Sequence, residues 1–117
     1  MRRLAASLAL AACLAGCGGG NDSSKVSAVC RDQADKVAAH ASSMLLHYRG
    51  GTVYPADMSY LGLQGSLRRF ERAGCEPSSL GTTLRRSLTP KQRATLFALL
   101  PRPTAKRLRE AVAQGLP

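Results

Sequence analysis

The stretch that decides the fold is residues 25–51, KVSAVCRDQADKVAAHASSMLLHYRGG. Its apolar residues recur at spacings of three, four and seven, which is the period of one helix face. This stripe consists of Val26, Cys30, Val37, Ala41, Met44 and Tyr48. We therefore predict a helix from about Lys25 to Tyr48 with Ser23 or Ser24 as N-cap. Gly50-Gly51 should end it, because glycine adopts the left-handed cap conformation without strain.

The next segment predicts a second helix, from about Ala56 to Ala73, with Gly74 as its C-cap. Thr52 to Pro55 should be an extended connection, since proline disfavours helical geometry in the residue before it. The inner face of this helix is predicted to be Tyr60, Leu63, Leu67 and Phe70. Gly62 and Gly65 weaken the helix, so either another backbone approaches here or the helix begins later.

The remaining chain predicts three short helices. The third runs from Pro77 to about Leu88, and the fourth begins at a capping box made by Thr89 and Gln92. The fifth runs from Pro103 or Thr104 to Gly115. Their apolar faces are Leu80, Leu84 and Leu88; Leu96, Phe97, Leu99 and Leu100; and Ala105, Leu108, Ala111 and Val112. No segment alternates as a strand would, so the predicted fold is an all-α bundle of four or five helices.

The N-terminus has the pattern of an export signal. Two arginines, Arg2 and Arg3, precede an apolar run from Leu4 to Leu14, and small residues follow. The run is shorter than the roughly 20 residues of a membrane span. Leu14-Ala15-Gly16-Cys17 resembles the lipobox of bacterial lipoproteins. The resemblance covers residues 1–17 and implies export, diacylglycerol attachment to Cys17, cleavage before it and acylation of the new N-terminus with a fatty acid such as palmitate.

The resemblance divides the chain into three parts. Residues 1–16 are the predicted signal peptide, residues 17–24 the lipidated cysteine and a flexible Gly/Ser tether, and residues 25–117 the helical domain. The implied location is the cell envelope, with the membrane as partner through the Cys17 lipid. Gly18 is not the aspartate that retains many lipoproteins in the inner membrane. In a Gram-negative cell we therefore expect the outer membrane, facing the periplasm.

This interpretation assigns a role to each of the four cysteines. Cys13 leaves with the signal and Cys17 carries lipid, so Cys30 and Cys75 remain as a pair in an oxidising compartment. We predict a disulfide between them. The alternatives are a metal pair or a reactive thiol, but neither cysteine has a second ligand at metal spacing.

Charge is distributed unevenly along the chain. The whole sequence has 17 Lys and Arg against 7 Asp and Glu. Residues 18–60 carry four of each sign, whereas residues 61–117 carry eleven basic and three acidic groups. The anion-binding candidates are Arg68, Arg69, Arg72, Arg85, Arg86, Lys106, Arg107 and Arg109. This bias indicates anionic lipid, cell-wall polymer or an acidic protein, with nucleic acid ranked lower, or else reflects only a G+C-rich genome.

Catalytic patterns are missing from the sequence. Ser59 and Ser66 lie in helical patterns without a nucleophile elbow, and the seven carboxylates are scattered. His40 and His47 are two turns apart, about 10.5 Å, which is too far for one metal ion. No cofactor, metal or catalytic residue is predicted.

These observations favour a non-enzymatic lipoprotein that binds or positions another envelope component. Its predicted architecture is similar to that of the small helical secretin pilotins. Leu46 and Leu61 lie off the inner faces and hint at a surface for a protein partner. The alternative is a direct binder of anionic lipid or cell-wall polymer through the arginine-bearing helices, and a cell-wall hydrolase ranks last.

Overall fold

The computed structural model describes residues 5–49 and 53–117, with side chains described for residues 27–49 and 57–117. Five helices occur in this part of the chain and no strand does, which confirms the all-α prediction. They are α1 (Ala5–Arg49), α2 (Val53–Arg72), α3 (Pro77–Ser87), α4 (Pro90–Leu99) and α5 (Arg102–Gln114). The predicted stop at Gly50-Gly51 and the side chains of Val26 and Cys17 lie outside the described residues.

Helix α1 is much longer than the predicted Lys25–Tyr48 helix, because it begins at Ala5. Residues 18–24, predicted to be a flexible tether with a serine N-cap, lie within the helix. The Ala- and Leu-rich N-terminal stretch has high helix propensity, and glycines lower that propensity by about 1 kcal/mol each without blocking a helix. The division of the chain at Cys17 concerns the processed protein and stays a prediction.

The apolar stripe of α1 packs as predicted except at its C-terminal end. Its buried positions include Cys30, Ala34, Val37, Ala38, Ala41, Met44 and Leu45. Tyr48, predicted to belong to this stripe, is 54% exposed. It lines a cavity of about 410 Å³ between the end of α1 and the start of α4. Burial on α1 therefore ends one turn earlier than its periodicity.

Helices α1 and α2 form an antiparallel hairpin whose register is shown by three contacts between them. Ser43 and Ser59 share a hydrogen bond of 3.0 Å between their hydroxyl oxygens. The Arg69 Nε donates to the Gln33 Oε1 at 3.3 Å. Between these pairs, the His40 ring lies over Gly62, where an added Cβ would be 2.5 Å from the ring. The group that needs this glycine is therefore a side chain and not the second backbone that the sequence suggested.

Helix α2 begins earlier than predicted and ends where predicted. It starts at Val53, so Tyr54 and Pro55 belong to the helix and not to an extended connection. Proline is tolerated here because the first N–H groups of a helix have no partner within it. At the other end, Gly74 has φ of +73°, and the Cys75 N–H donates to the Phe70 carbonyl. This geometry is a Schellman cap.

The predicted disulfide is confirmed. Cys30 of α1 and Cys75, just beyond the cap of α2, are bonded with their Cα atoms 5.6 Å apart. The bond joins α1 to the C-terminal end of α2, at the end of the hairpin away from Arg49 and Val53.

Helices α3 and α5 cross at their backbones. Gly81 is buried, and a Cβ added there would overlap the carbonyl group of Ala111. Gly115 ends α5 as predicted, but with φ of −75°, so it does not serve as a left-handed cap. It is required because its own Cβ would overlap Gly81. The Thr82 hydroxyl accepts a hydrogen bond from the Leu116 N–H at 2.9 Å, which holds the C-terminal segment on α3.

Helix α4 begins as predicted and completes the bundle. Thr89 accepts from the Gln92 N–H, and the Gln92 side chain accepts from the Thr89 N–H. Helix α5 begins at Arg102, slightly before the predicted start. Helix α3 packs on α1 and α5, and α4 contacts α5 and α1. The core they share includes Leu63, Leu67, Phe70, Leu80, Leu84, Leu88, Leu96, Leu100, Ala105, Leu108 and Ala111.

Candidate functional site

The eight predicted anion-binding side chains do not form one free basic surface. Four of them make contacts within the protein, beginning with Arg69 and its hydrogen bond to Gln33. Arg107 forms an ion pair with Glu71, with Nε and Oε2 3.1 Å apart. The Arg109 guanidinium lies 5.3 Å from the centre of the Phe97 ring, a cation–π distance. These contacts give part of the basic excess a structural role.

Arg85 was predicted to point outward, and this prediction is wrong. Its side chain is half-buried, and its Nε donates to the Val112 carbonyl at 2.8 Å. The carbonyl belongs to the last turn of α5 and also accepts from the Gly115 N–H at 3.1 Å. Arg85 therefore adds a second hydrogen bond at the C-terminal end of α5 and fastens it to α3.

The other four candidates are exposed and have no ion pair or hydrogen bond within the described part of the chain. They are Arg68, Arg72, Arg86 and Lys106. Arg68 and Arg72 are one turn apart on the outer face of α2, away from the buried Leu67 and Phe70. This pair is the most concentrated free positive charge on the hairpin.

The same outer face of α2 is apolar toward its N-terminal end. Met58 and Leu61 are 52% and 58% exposed, and Leu46 of α1 is 64% exposed. The Ser43–Ser59 pair places Leu46 and Met58 at the same end of the hairpin. The sequence prediction identified Leu46 and Leu61 and missed Met58. We call Leu46, Met58 and Leu61 the apolar end, and Arg68 and Arg72 the basic end.

A groove of about 900 Å³ lies beside the disulfide. Its walls come from α1, the 74–76 loop, α3 and the C-terminal residues. The groove is lined by Ser27, Cys30, Arg31, Ala34, Gly74, Cys75, Glu76, Ser78, Ser79, Thr82, Thr83, Arg86, Gln114 and Leu116. Sequence reasoning did not predict it, since residues 27–34 meet residues 114–116 only through tertiary packing.

Neither a metal centre nor a membrane-spanning helix is found in the part of the chain that the structure describes. No group of three or more His, Cys, Asp or Glu side chains there is arranged to hold a metal ion. No helix in that part has an apolar stretch long enough to cross a bilayer. His40 and His47 are half-buried at the edge of the α1 stripe.

Comparisons of the chain with protein-family models, with curated proteins and with solved structures find no match.

Proposed function

We propose that this protein is a lipid-anchored, non-enzymatic accessory of the bacterial cell envelope that binds or positions another envelope protein. The observation that carries the proposal is the apolar end, made by Leu46, Met58 and Leu61. Three large apolar side chains, each more than half exposed at one end of a hairpin, are a surface suited to a partner helix.

The direction of α1 supports this assignment. Leu46 follows Cys17 by 29 residues in one helix, a separation of about 43 Å at 1.5 Å per residue. The apolar end is therefore remote from the proposed lipid attachment point, whereas the disulfide and the basic end are nearer to it. A partner would meet the apolar end away from the bilayer.

In-cell crosslinking tests the partner. A photoreactive amino acid at Leu61 of the full chain should yield a defined protein adduct. The matched control is the same substitution at Ala98, an exposed position on α4. Adducts with lipid or glycan alone at position 61, or the same protein adduct from both positions, would contradict the proposal.

Metabolic labelling tests the anchor separately. Radiolabelled palmitate should enter the wild type and not Cys17→Ser, because the thiol is the proposed attachment point. Equal labelling of both proteins would remove the lipoprotein assignment.

A second candidate function is direct binding of anionic lipid or cell-wall polymer, and the free Arg68 and Arg72 favour it. Each basic residue near an anionic membrane contributes about 1 kcal/mol. Residues 25–117 should bind phosphatidylglycerol vesicles weakly and release them at 1 M salt, where the Debye length is about 3 Å. Joint replacement of Arg68, Arg69 and Arg72 by glutamine should reduce this binding. Equal binding to neutral vesicles would exclude the electrostatic account.

A further inference from the structure

We propose that the groove beside the disulfide is a binding site for one anionic phospholipid molecule. The inference rests on the proposed membrane location for the identity of the ligand, but it needs no protein partner at the apolar end. Its volume of about 900 Å³ is within the range of small-molecule sites.

The rim of the groove is suited to a phosphate group. Arg31 of α1 and Arg86 of α3 both line it, and both side chains are exposed. No ion pair or hydrogen bond joins either guanidinium to another residue among 27–49 and 57–117. Guanidinium groups bind phosphate oxygens in pairs of parallel hydrogen bonds, which makes arginine the side chain best suited to this anion.

The first turn of α3 adds a second, independent attraction for an anion. Ser78 and Ser79 line the groove directly after Pro77, the first residue of α3. Glu76 occupies the N-cap position, but its side chain makes no capping hydrogen bond. Pro77 has no N–H and the Ser79 N–H donates to the Glu76 carbonyl at 3.0 Å, so this terminus offers an anion the Ser78 N–H and the helix dipole. Two arginines and a helix N-terminus without a side-chain cap therefore line one cavity.

The floor of the groove is apolar, which distinguishes a lipid from a free phosphate. Cys30 and Ala34 are buried residues of its lining, and Cys75, which is bonded to Cys30, lines it as well. Leu116 also lines it and is 69% exposed, so its side chain offers apolar surface on this floor. An acyl chain on this floor would cover the leucine while the phosphate remains at the arginines.

The experiment is native mass spectrometry of the processed, full-length lipoprotein extracted from membranes in mild detergent. We expect a non-covalent phospholipid adduct in addition to the mass of the Cys17 lipid. After delipidation, added phosphatidylglycerol should rebind and phosphatidylcholine should not. The double variant Arg31→Gln/Arg86→Gln should weaken phosphatidylglycerol binding by roughly tenfold for each arginine removed.

The matched control is Lys91→Gln/Arg102→Gln, which removes two exposed cations outside the groove. It should retain the adduct, whereas Glu76→Gln, which removes the lining carboxylate, should strengthen binding. Thermal melting checks that every variant folds. Equal binding of the two lipids, or equal loss in both double variants, would overturn the proposal. Displacement of the lipid by inorganic phosphate alone would overturn the assignment to a phospholipid. Because palmitate labelling tests the anchor independently, failure here leaves the proposed function intact.

Discussion

The α1–α2 hairpin and the α3–α5 crossing are joined in different ways. Side chains separate the hairpin helices, as at His40 over Gly62 and at the Ser43–Ser59 hydrogen bond. At the crossing, the backbones of Gly81 and Ala111 are in direct contact. Where side chains form the contact between two helices, a substitution can be accommodated because neighbouring side chains change rotamer. A backbone contact has no such freedom, since any movement displaces a whole helix.

The difference explains where the disulfide lies. Helix α2 packs chiefly on α1 and has few contacts with the other helices. The Cys30–Cys75 bond closes the hairpin at its open end, while hydrogen bonds to Thr82 and from Arg85 fasten α5 to α3 without a covalent link. The hairpin is therefore stabilised by a covalent bond, whereas the crossing is stabilised by close backbone packing and hydrogen bonds.

The largest expected effect is from removal of the disulfide. Cys30→Ala/Cys75→Ala should lower the free energy of unfolding by about 4 kcal/mol, because the bond closes a loop with a sequence separation of 45 residues. Chemical denaturation measures the loss. Hydrogen exchange should accelerate first in residues 69–75 and leave the Leu116 N–H protected. If exchange accelerated at the α3–α5 crossing earlier than in the hairpin, the disulfide would not be the main support of the hairpin.

Next in size is Gly81→Ala, which tests the crossing. The added Cβ meets the Ala111 carbonyl, so we expect a loss of about 3 kcal/mol in unfolding free energy. The control is Gly65→Ala in the middle of α2, where the Cβ would lie 3.7 Å from an Arg69 nitrogen, an ordinary contact. That variant should gain up to about 1 kcal/mol through helix propensity. Effects of the same sign would show that packing at the two sites does not differ.

The smallest effect concerns two buried serines of α2. The Ser66 hydroxyl is fully buried with no hydrogen-bond partner among the described side chains, whereas that of Ser59 is bonded to Ser43. Ser66→Ala should leave thermal stability unchanged or raise it by up to about 1 kcal/mol, since it removes an unsatisfied polar group. Ser59→Ala should lower it by about 1 kcal/mol. A larger loss at Ser66 than at Ser59 would indicate a polar interaction at this position.

The sequence by itself determined the features that depend on near neighbours. The helix period of residues 30–45, the Thr89–Gln92 capping box and the glycine cap at Gly74 involve residues within about four positions of one another, so their chemistry is visible in the order of residues. The disulfide was also predictable, because the resemblance to a lipobox assigned Cys13 and Cys17 other roles and periodicity placed Cys30 on the core side.

Tertiary structure alone decided which distant groups meet. Arg85 has the same side chain as its exposed neighbour Arg86, yet it donates a hydrogen bond to the Val112 carbonyl, 27 positions away. The sequence predicts Gly115 as a helix terminator, but a glycine is required there because a Cβ would overlap the backbone of Gly81. The groove joins Arg31 to Arg86 across 55 positions of sequence. Such contacts depend on how whole helices cross, and crossing is set by the summed packing of many side chains, so no local pattern encodes it.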